Sequence, residues 1–95
     1  MTNLFAVFGA RLVTPPVDRC GVAGVMRGIV LREAAVLGIE VQQQRLPLDQ
    51  LLAADEAFVT NARIGVVPVQ RVGEHRFRMS DTSQRLASHI GALDA

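Results

Sequence analysis

Two stretches decide how this chain reads: Cys20-Gly21-Val22-Ala23-Gly24-Val25-Met26-Arg27, and Ala54-Asp55-Glu56-Ala57-Phe58-Val59-Thr60-Asn61-Ala62. The first puts two glycines ahead of a helical pattern. From Val25 to Leu37, Met26, Ile29, Val30, Ala34 and Leu37 share one broad face, Arg32-Glu33 face water, and Gly38 supplies a left-handed stop. A helix start leaves backbone N–H groups unpaired, and with the helix dipole they form an anion site that glycine lets an oxyanion approach. The same residues also read as an ordinary glycine-rich turn. The second stretch is a buried strand, Glu56 to Thr60, that ends in small and polar residues. Strand ends in α/β folds commonly deliver binding groups. An ordinary turn in which Asn61 bonds its own local backbone is the other reading. Together, the two turns are candidates to meet on one phosphate.

Working outward, Leu4 to Phe8, Gly9-Ala10 and Arg11 to Val13 read as a tight hairpin with Phe5 and Val7 on one face, ended by Thr14-Pro15-Pro16. Ile39 alternates onward to Leu46 as a strand with one polar face, and Pro47 breaks it. Leu48 to Ala54 fits two turns of helix. Ile64 to Val72 reads as a strand interrupted by Gly65 and Pro68, followed by a Gly73-Glu74 turn and a returning strand, His75 to Arg78. Ser80 or Asp81 caps a last helix carrying Leu86, Ile90 and Leu93. The expected fold is α/β, one domain over residues 1–95. It has a mixed or mostly antiparallel, partly barrel-like sheet, a long helix after residue 24, a short middle helix and a C-terminal helix.

Composition narrows the function classes. The chain has 95 residues, 49% hydrophobic and 20% charged, which fits a packed core of about 12 Å radius of gyration and not a disordered tail. No apolar run approaches the roughly 18 residues of a membrane span. Met1-Thr2-Asn3 opens without a basic-then-apolar leader pattern, and the lone Cys20 makes no internal disulfide, so a reducing, cytoplasmic setting is expected. A net charge of +1 without Trp or Tyr argues against a nucleic-acid surface. All 10 basic side chains are arginine. With no lysine, no side chain here can form a Schiff base with a carbonyl.

Other residues read structurally. Cys20 is a small packing residue. His75 and His89 lack partners at metal-ligand spacing, so no metal site is expected, and His89 reads as a partly exposed surface residue. Asp55 and Glu56, being adjacent at a strand entrance, point in different directions and are not an acid–base pair. Arg63, after the second turn, is a candidate for a substrate carboxylate. Arg27 lies in the first helical turn, where the dipole disfavours a cation, and is expected to make an ion pair that fixes the loop.

Thr14-Pro15-Pro16, Cys20 to Arg27, Ala54 to Ala62 and Pro68-Val69, in that order and at those separations, resemble the C-terminal portion of the fold-type-IV pyridoxal-phosphate enzymes. This class IV aminotransferase superfamily includes branched-chain and D-amino acid aminotransferases and aminodeoxychorismate lyases. Gly24-Val25-Met26-Arg27 stands where the aminotransferases carry Gly-Ile-Thr-Arg, and Asn61-Ala62 where they carry Gly-Thr or Ser-Thr. Both choices, with Cys20-Gly21-Val22, look most like the lyases.

The resemblance implies that the Val25 and Met26 amides hold the phosphate of pyridoxal 5'-phosphate. It implies that the Asn61-Ala62 turn approaches that phosphate from the other side and that Val22 packs on the pyridine ring. Threonine hydroxyls that the aminotransferases place at the positions of Met26 and Ala62 are lacking. The family's catalytic lysine, phosphate-binding arginine and pyridine-pairing glutamate are expected upstream of Met1. The chain by itself is then inactive and works with an N-terminal portion or in a dimer, on a small-molecule substrate. The implied activity is conversion of 4-amino-4-deoxychorismate to 4-aminobenzoate and pyruvate, a folate-pathway step. The alternatives are a domain of a class IV aminotransferase and a stand-alone, non-catalytic binding or assembly domain.

Overall fold

The computed structural model describes residues 2–16, 25–61, 65–77 and 81–93. Strands β1 (Thr2–Phe8) and β2 (Arg11–Thr14) form the expected hairpin, with Val7 opposite Leu12 and Phe8 opposite Arg11. At its tip Gly9 takes φ +62°, a conformation cheap only for glycine, and its amide donates to Asp55 Oδ2 at 2.7 Å.

Helix α1 (Val25–Val36) stops where the sequence says it should. Gly38 takes φ +76°, its amide donates to Ala35 O and that of Ile39 to Ala34 O, which closes the last turn as a Schellman motif. The chain then enters β3 (Glu40–Gln43), parallel to β2 with Thr14 opposite Gln43. This strand is shorter than the expected run to Leu46, because β2 ends at Thr14 and leaves nothing beyond to pair with. Helix α2 (Leu48–Leu52) is likewise a single short piece.

Strand β4 (Glu56–Asn61) inserts between β1 and β5 (Gly65–Val69), antiparallel to both. The sheet order is β3-β2-β1-β4-β5. The single expected strand from Ile64 to Val72 divides at Gln70, whose carbonyl accepts from Phe77 N at 2.9 Å. Its second part, β6 (Arg71–Val72), pairs with β7 (His75–Arg76) as a separate hairpin. Pro68 is tolerated because β5 is an edge strand. Helix α3 (Asp81–Leu93) completes the chain.

Strand alternation sorts the core into two layers. On one face Phe5, Val7, Leu12, Phe58 and Val66 meet Val30 and Ala34 of α1 and Leu86 and Ile90 of α3. The Phe5 and Phe58 rings stack at 4.9 Å, only 5° from parallel. On the other face Ala6 and Ala57 leave room for Leu51 and Ala54, with Leu4, Phe8 and Phe77 around them. The radius of gyration is 12.5 Å, close to the value expected from length. No helix among the described residues is long and apolar enough to cross a membrane.

One expectation for a polar residue is corrected. Glu33 does not face water but is buried in the α1–α3 seam, where His89 Nε2 lies 2.8 Å from its Oε1 and Arg32 Nε donates to Oε2 at 3.0 Å. His89 is partly exposed, as expected, and also partners Glu33 across the seam. The helical period alone puts Glu33 on the outer side of α1, where α3 packs against it. At the start of α3, acceptors come from β4. Asp81 is already helical and Ser80 lies outside the described residues, while the first-turn amides of Thr82 and Ser83 donate to Glu56 of β4.

Candidate functional site

The sheet register gathers several chain ends at one edge. β2 and β4 are each antiparallel to β1, so they run the same way, and β3 runs parallel to β2. The carboxyl ends of β2, β3 and β4 therefore share an edge with the amino ends of β1 and β5. Arg27 places the start of α1 at this edge: its Nη2 donates to Pro15 O at 3.2 Å, just past β2, and to Gln43 Oε1 at 3.1 Å, the last residue of β3. β2 and β4 are separated only by β1, about 10 Å between them at normal strand spacing.

The polar groups at this edge are under-satisfied. The Thr60 hydroxyl is buried without a hydrogen-bond partner, and so is Oδ1 of Asn3, its cross-strand neighbour. By alternation both lie on the sheet face that bears Phe5, Phe58 and the helices. Thr14, on the same face, satisfies its hydroxyl by donating to Leu4 O at 2.7 Å. Arg27 is 4% exposed and its Nε has no partner. The expected ion pair is not formed with any described carboxylate; ion pairs among the described residues are Arg32–Glu33 and His89–Glu33. Among the described residues the acceptors of Arg27 are the Pro15 carbonyl and the Gln43 amide oxygen. First-turn N–H groups of α1 lack intrahelical acceptors by construction. This edge therefore combines helix-start donors, a buried cation and a free hydroxyl, a donor set suited to an anion.

Of the residues singled out in the sequence, Val25 and Met26 are the first two of α1, and Asn61 is the last of β4, opposite Thr2 and Gly65. All three belong to elements that end at the edge just described. Met26 is half-buried and packs against the core cluster of Phe5 and Val30. Val22, Ala62, Arg63 and Cys20 lie outside the described residues. Asp55 and Glu56 diverge as expected, the first to Gly9 and the second to α3. Asn3 and Thr60 were missed. Counting by twos from Phe5 and Phe58 puts both on the helix-covered face, a signal already present in the sequence.

A mixed sheet with a helix start and three strand ends at one edge is the architecture of an α/β ligand-binding domain. The family model for amino-transferase class IV matches residues 1–72, and the chain belongs to that family. It is 38% identical over 76 residues to a probable branched-chain-amino-acid aminotransferase of Thermotoga maritima, covering 80% of this chain and 28% of that protein. It is 42% identical over 72 residues to an aminodeoxychorismate lyase of Vibrio harveyi, covering 76% of this chain and 27% of that protein. A branched-chain amino acid aminotransferase of Escherichia coli, known from its crystal structure, superposes with TM-score 0.89 at 30% identity. That match covers 97% of this chain and 32% of the other. The chain thus spans under a third of the length of these relatives.

Proposed function

We propose that this chain anchors the phosphate of pyridoxal 5'-phosphate in an enzyme of the lyase branch, which converts 4-amino-4-deoxychorismate to 4-aminobenzoate and pyruvate. The observation that carries the anchoring role is the placement of the α1 start and the β4 end along one sheet edge, where Arg27 Nε and the Thr60 hydroxyl are buried without partners. The donor set fits a dianionic phosphate. The amides of Val25 and Met26 would bind it from the helix start and the Asn61-Ala62 turn from the strand end, with Val22 against the ring. When bound, the cofactor supplies an electron sink for negative charge developing beside the substrate nitrogen. The share of this chain is to fix the phosphate and thereby the orientation of the ring. The amine that holds the cofactor must come from outside these 95 residues, since they include no lysine. On this reading the working unit includes an N-terminal portion or a second subunit, and the chain alone is without activity.

Met26 and Ala62, at the two positions where the resemblance gives the aminotransferases threonine, favour the lyase, as does the likeness to the Vibrio harveyi enzyme. The likeness to the Thermotoga maritima aminotransferase supports the second reading. Incubating the full-length protein with pyridoxal 5'-phosphate and 4-amino-4-deoxychorismate separates them. Release of pyruvate with 4-aminobenzoate is expected. Amino transfer from a branched-chain amino acid to 2-oxoglutarate, without pyruvate release, sinks the lyase reading.

A further inference from the structure

We infer that Arg27 is the resident counter-cation of the anion held at the start of α1, a positioning residue that balances the phosphate's charge without touching it. The inference rests on the phosphate-anchoring reading above. Its independent basis is electrostatic. Arg27 is 4% exposed, its Nε has no hydrogen-bond partner, and no described carboxylate lies within ion-pair distance. A buried cation is costly unless an opposite charge compensates it. Here the cost is compounded, because Arg27 occupies the first turn of α1, where the helix dipole is already positive. Its acceptors among the described residues, Pro15 O and Gln43 Oε1, orient the guanidinium but bring no negative charge. A second group at the same edge is also short of an acceptor: the Thr60 hydroxyl, 1% exposed and unpartnered on the helix-covered face. The helix start, the guanidinium and the free hydroxyl lie along one sheet edge, and a dianion held at the start of α1 brings the negative charge that the described residues around Arg27 do not supply. A charge-balancing role requires a positive charge at this position, whereas an anchoring role requires the two hydrogen bonds that leave Nη2, one of which Q43A removes while the charge stays.

The test compares wild type, R27K, R27Q and Q43A in the full-length protein. Equilibrium titration by absorbance follows pyridoxal 5'-phosphate and pyridoxal, and phosphorus NMR follows inorganic phosphate. R27Q is expected to weaken both phosphate-bearing ligands by roughly tenfold to a hundredfold, the range for opposite charges several ångströms apart at a partly buried site. Pyridoxal, which lacks the phosphate, should bind R27Q as it binds wild type. R27K should stay within about threefold of wild type, and so should Q43A, which removes one hydrogen bond and keeps the charge. Equal losses for pyridoxal and its phosphate, or a loss in Q43A or R27K as large as in R27Q, make Arg27 a loop anchor only and overturn the inference. If R27Q does not fold, the R27K and Q43A comparisons decide the question alone. A wild type that binds pyridoxal 5'-phosphate no better than pyridoxal defeats the cofactor reading. The charge pairing then stands only if inorganic phosphate still binds and is lost in R27Q.

Discussion

Glu56, the first residue of β4, holds the first turn of α3: its Oε1 accepts from both the amide and the hydroxyl of Ser83 at 3.0 Å, and its Oε2 from the Thr82 amide at 3.1 Å. A carboxylate from a strand thus does the work that a Ser or Asp usually does within the helix itself. Its charge sits where the helix dipole favours it, which offsets the cost of burying a side chain only 2% exposed. One end of β4 therefore fixes α3, and the other, through Thr60 and Asn61, reaches the candidate site.

Replacing Glu56 with Ala should destabilise the fold by about 2–4 kcal/mol, because it strips a charged acceptor from buried donors. Glu56→Gln keeps one acceptor oxygen and should cost about half as much. Urea denaturation midpoints check both. Equal stability of E56A and the wild type would show that water replaces the carboxylate at no cost.

Glu33 ties α1 to α3 and makes that seam acid-sensitive. Its hydrogen bond with His89, then that with Arg32, hold its carboxyl below the ordinary value of 4.5. Below 4.5 the unfolded chain takes up this proton before the folded one does. The stabilisation is therefore complete above that pH and lost as pH falls through the lowered folded value. Glu33→Gln should flatten the dependence of stability on pH below 4.5. Thermal denaturation from pH 3 to pH 7 measures it (roughly the span over which carboxylates titrate).

Two glycines predict opposite signs. Gly28 is an exposed position inside α1, and a Cβ built there meets nothing within 4 Å. Gly28→Ala should stabilise by about 0.5–1 kcal/mol, since glycine weakens helix interiors. Gly38 has equal space but φ +76°, so Gly38→Ala should destabilise by about 1 kcal/mol through strain alone. Melting temperatures moving the same way would contradict the conformational explanation.

How much of this was legible beforehand follows from the range of each interaction. The hairpin around Gly9, the helix ending at Gly38 and the buried strand ending at Asn61 were readable because period and turn chemistry are local. The parallel pairing of β2 with β3 and the insertion of β4 beside β1 were not, because register between distant segments leaves no local trace. Glu33 and Glu56 illustrate the same limit. Each looks like a solvated charge in its own element and becomes a buried partner only when α3 packs against both. At the site, Gly21 and Gly24 ahead of a helical pattern and the polar strand end at Thr60-Asn61 marked the two elements, while positions 25 and 26 followed from the family resemblance. The unpartnered hydroxyl of Thr60 and the charge state around Arg27 required the packed structure.

Met26 offers a test of how the phosphate site is built. As the second residue of α1 it turns a thioether toward the core cluster, where a threonine would offer a hydroxyl. Met26→Thr removes apolar volume from a half-buried position and should destabilise by about 1–2 kcal/mol, less than a fully buried truncation. If the start of α1 holds the phosphate as proposed, a hydroxyl on the shorter threonine side chain is near enough the helix-start donors to bond it, and a neutral hydrogen bond adds about 0.5–1.5 kcal/mol. Affinity for pyridoxal 5'-phosphate should then rise by roughly twofold to tenfold, while that for pyridoxal does not change. The two effects have opposite signs and separate measurements, denaturation for one and titration for the other. If both affinities fall with stability, Met26 contributes only packing and the phosphate lies elsewhere than the start of α1.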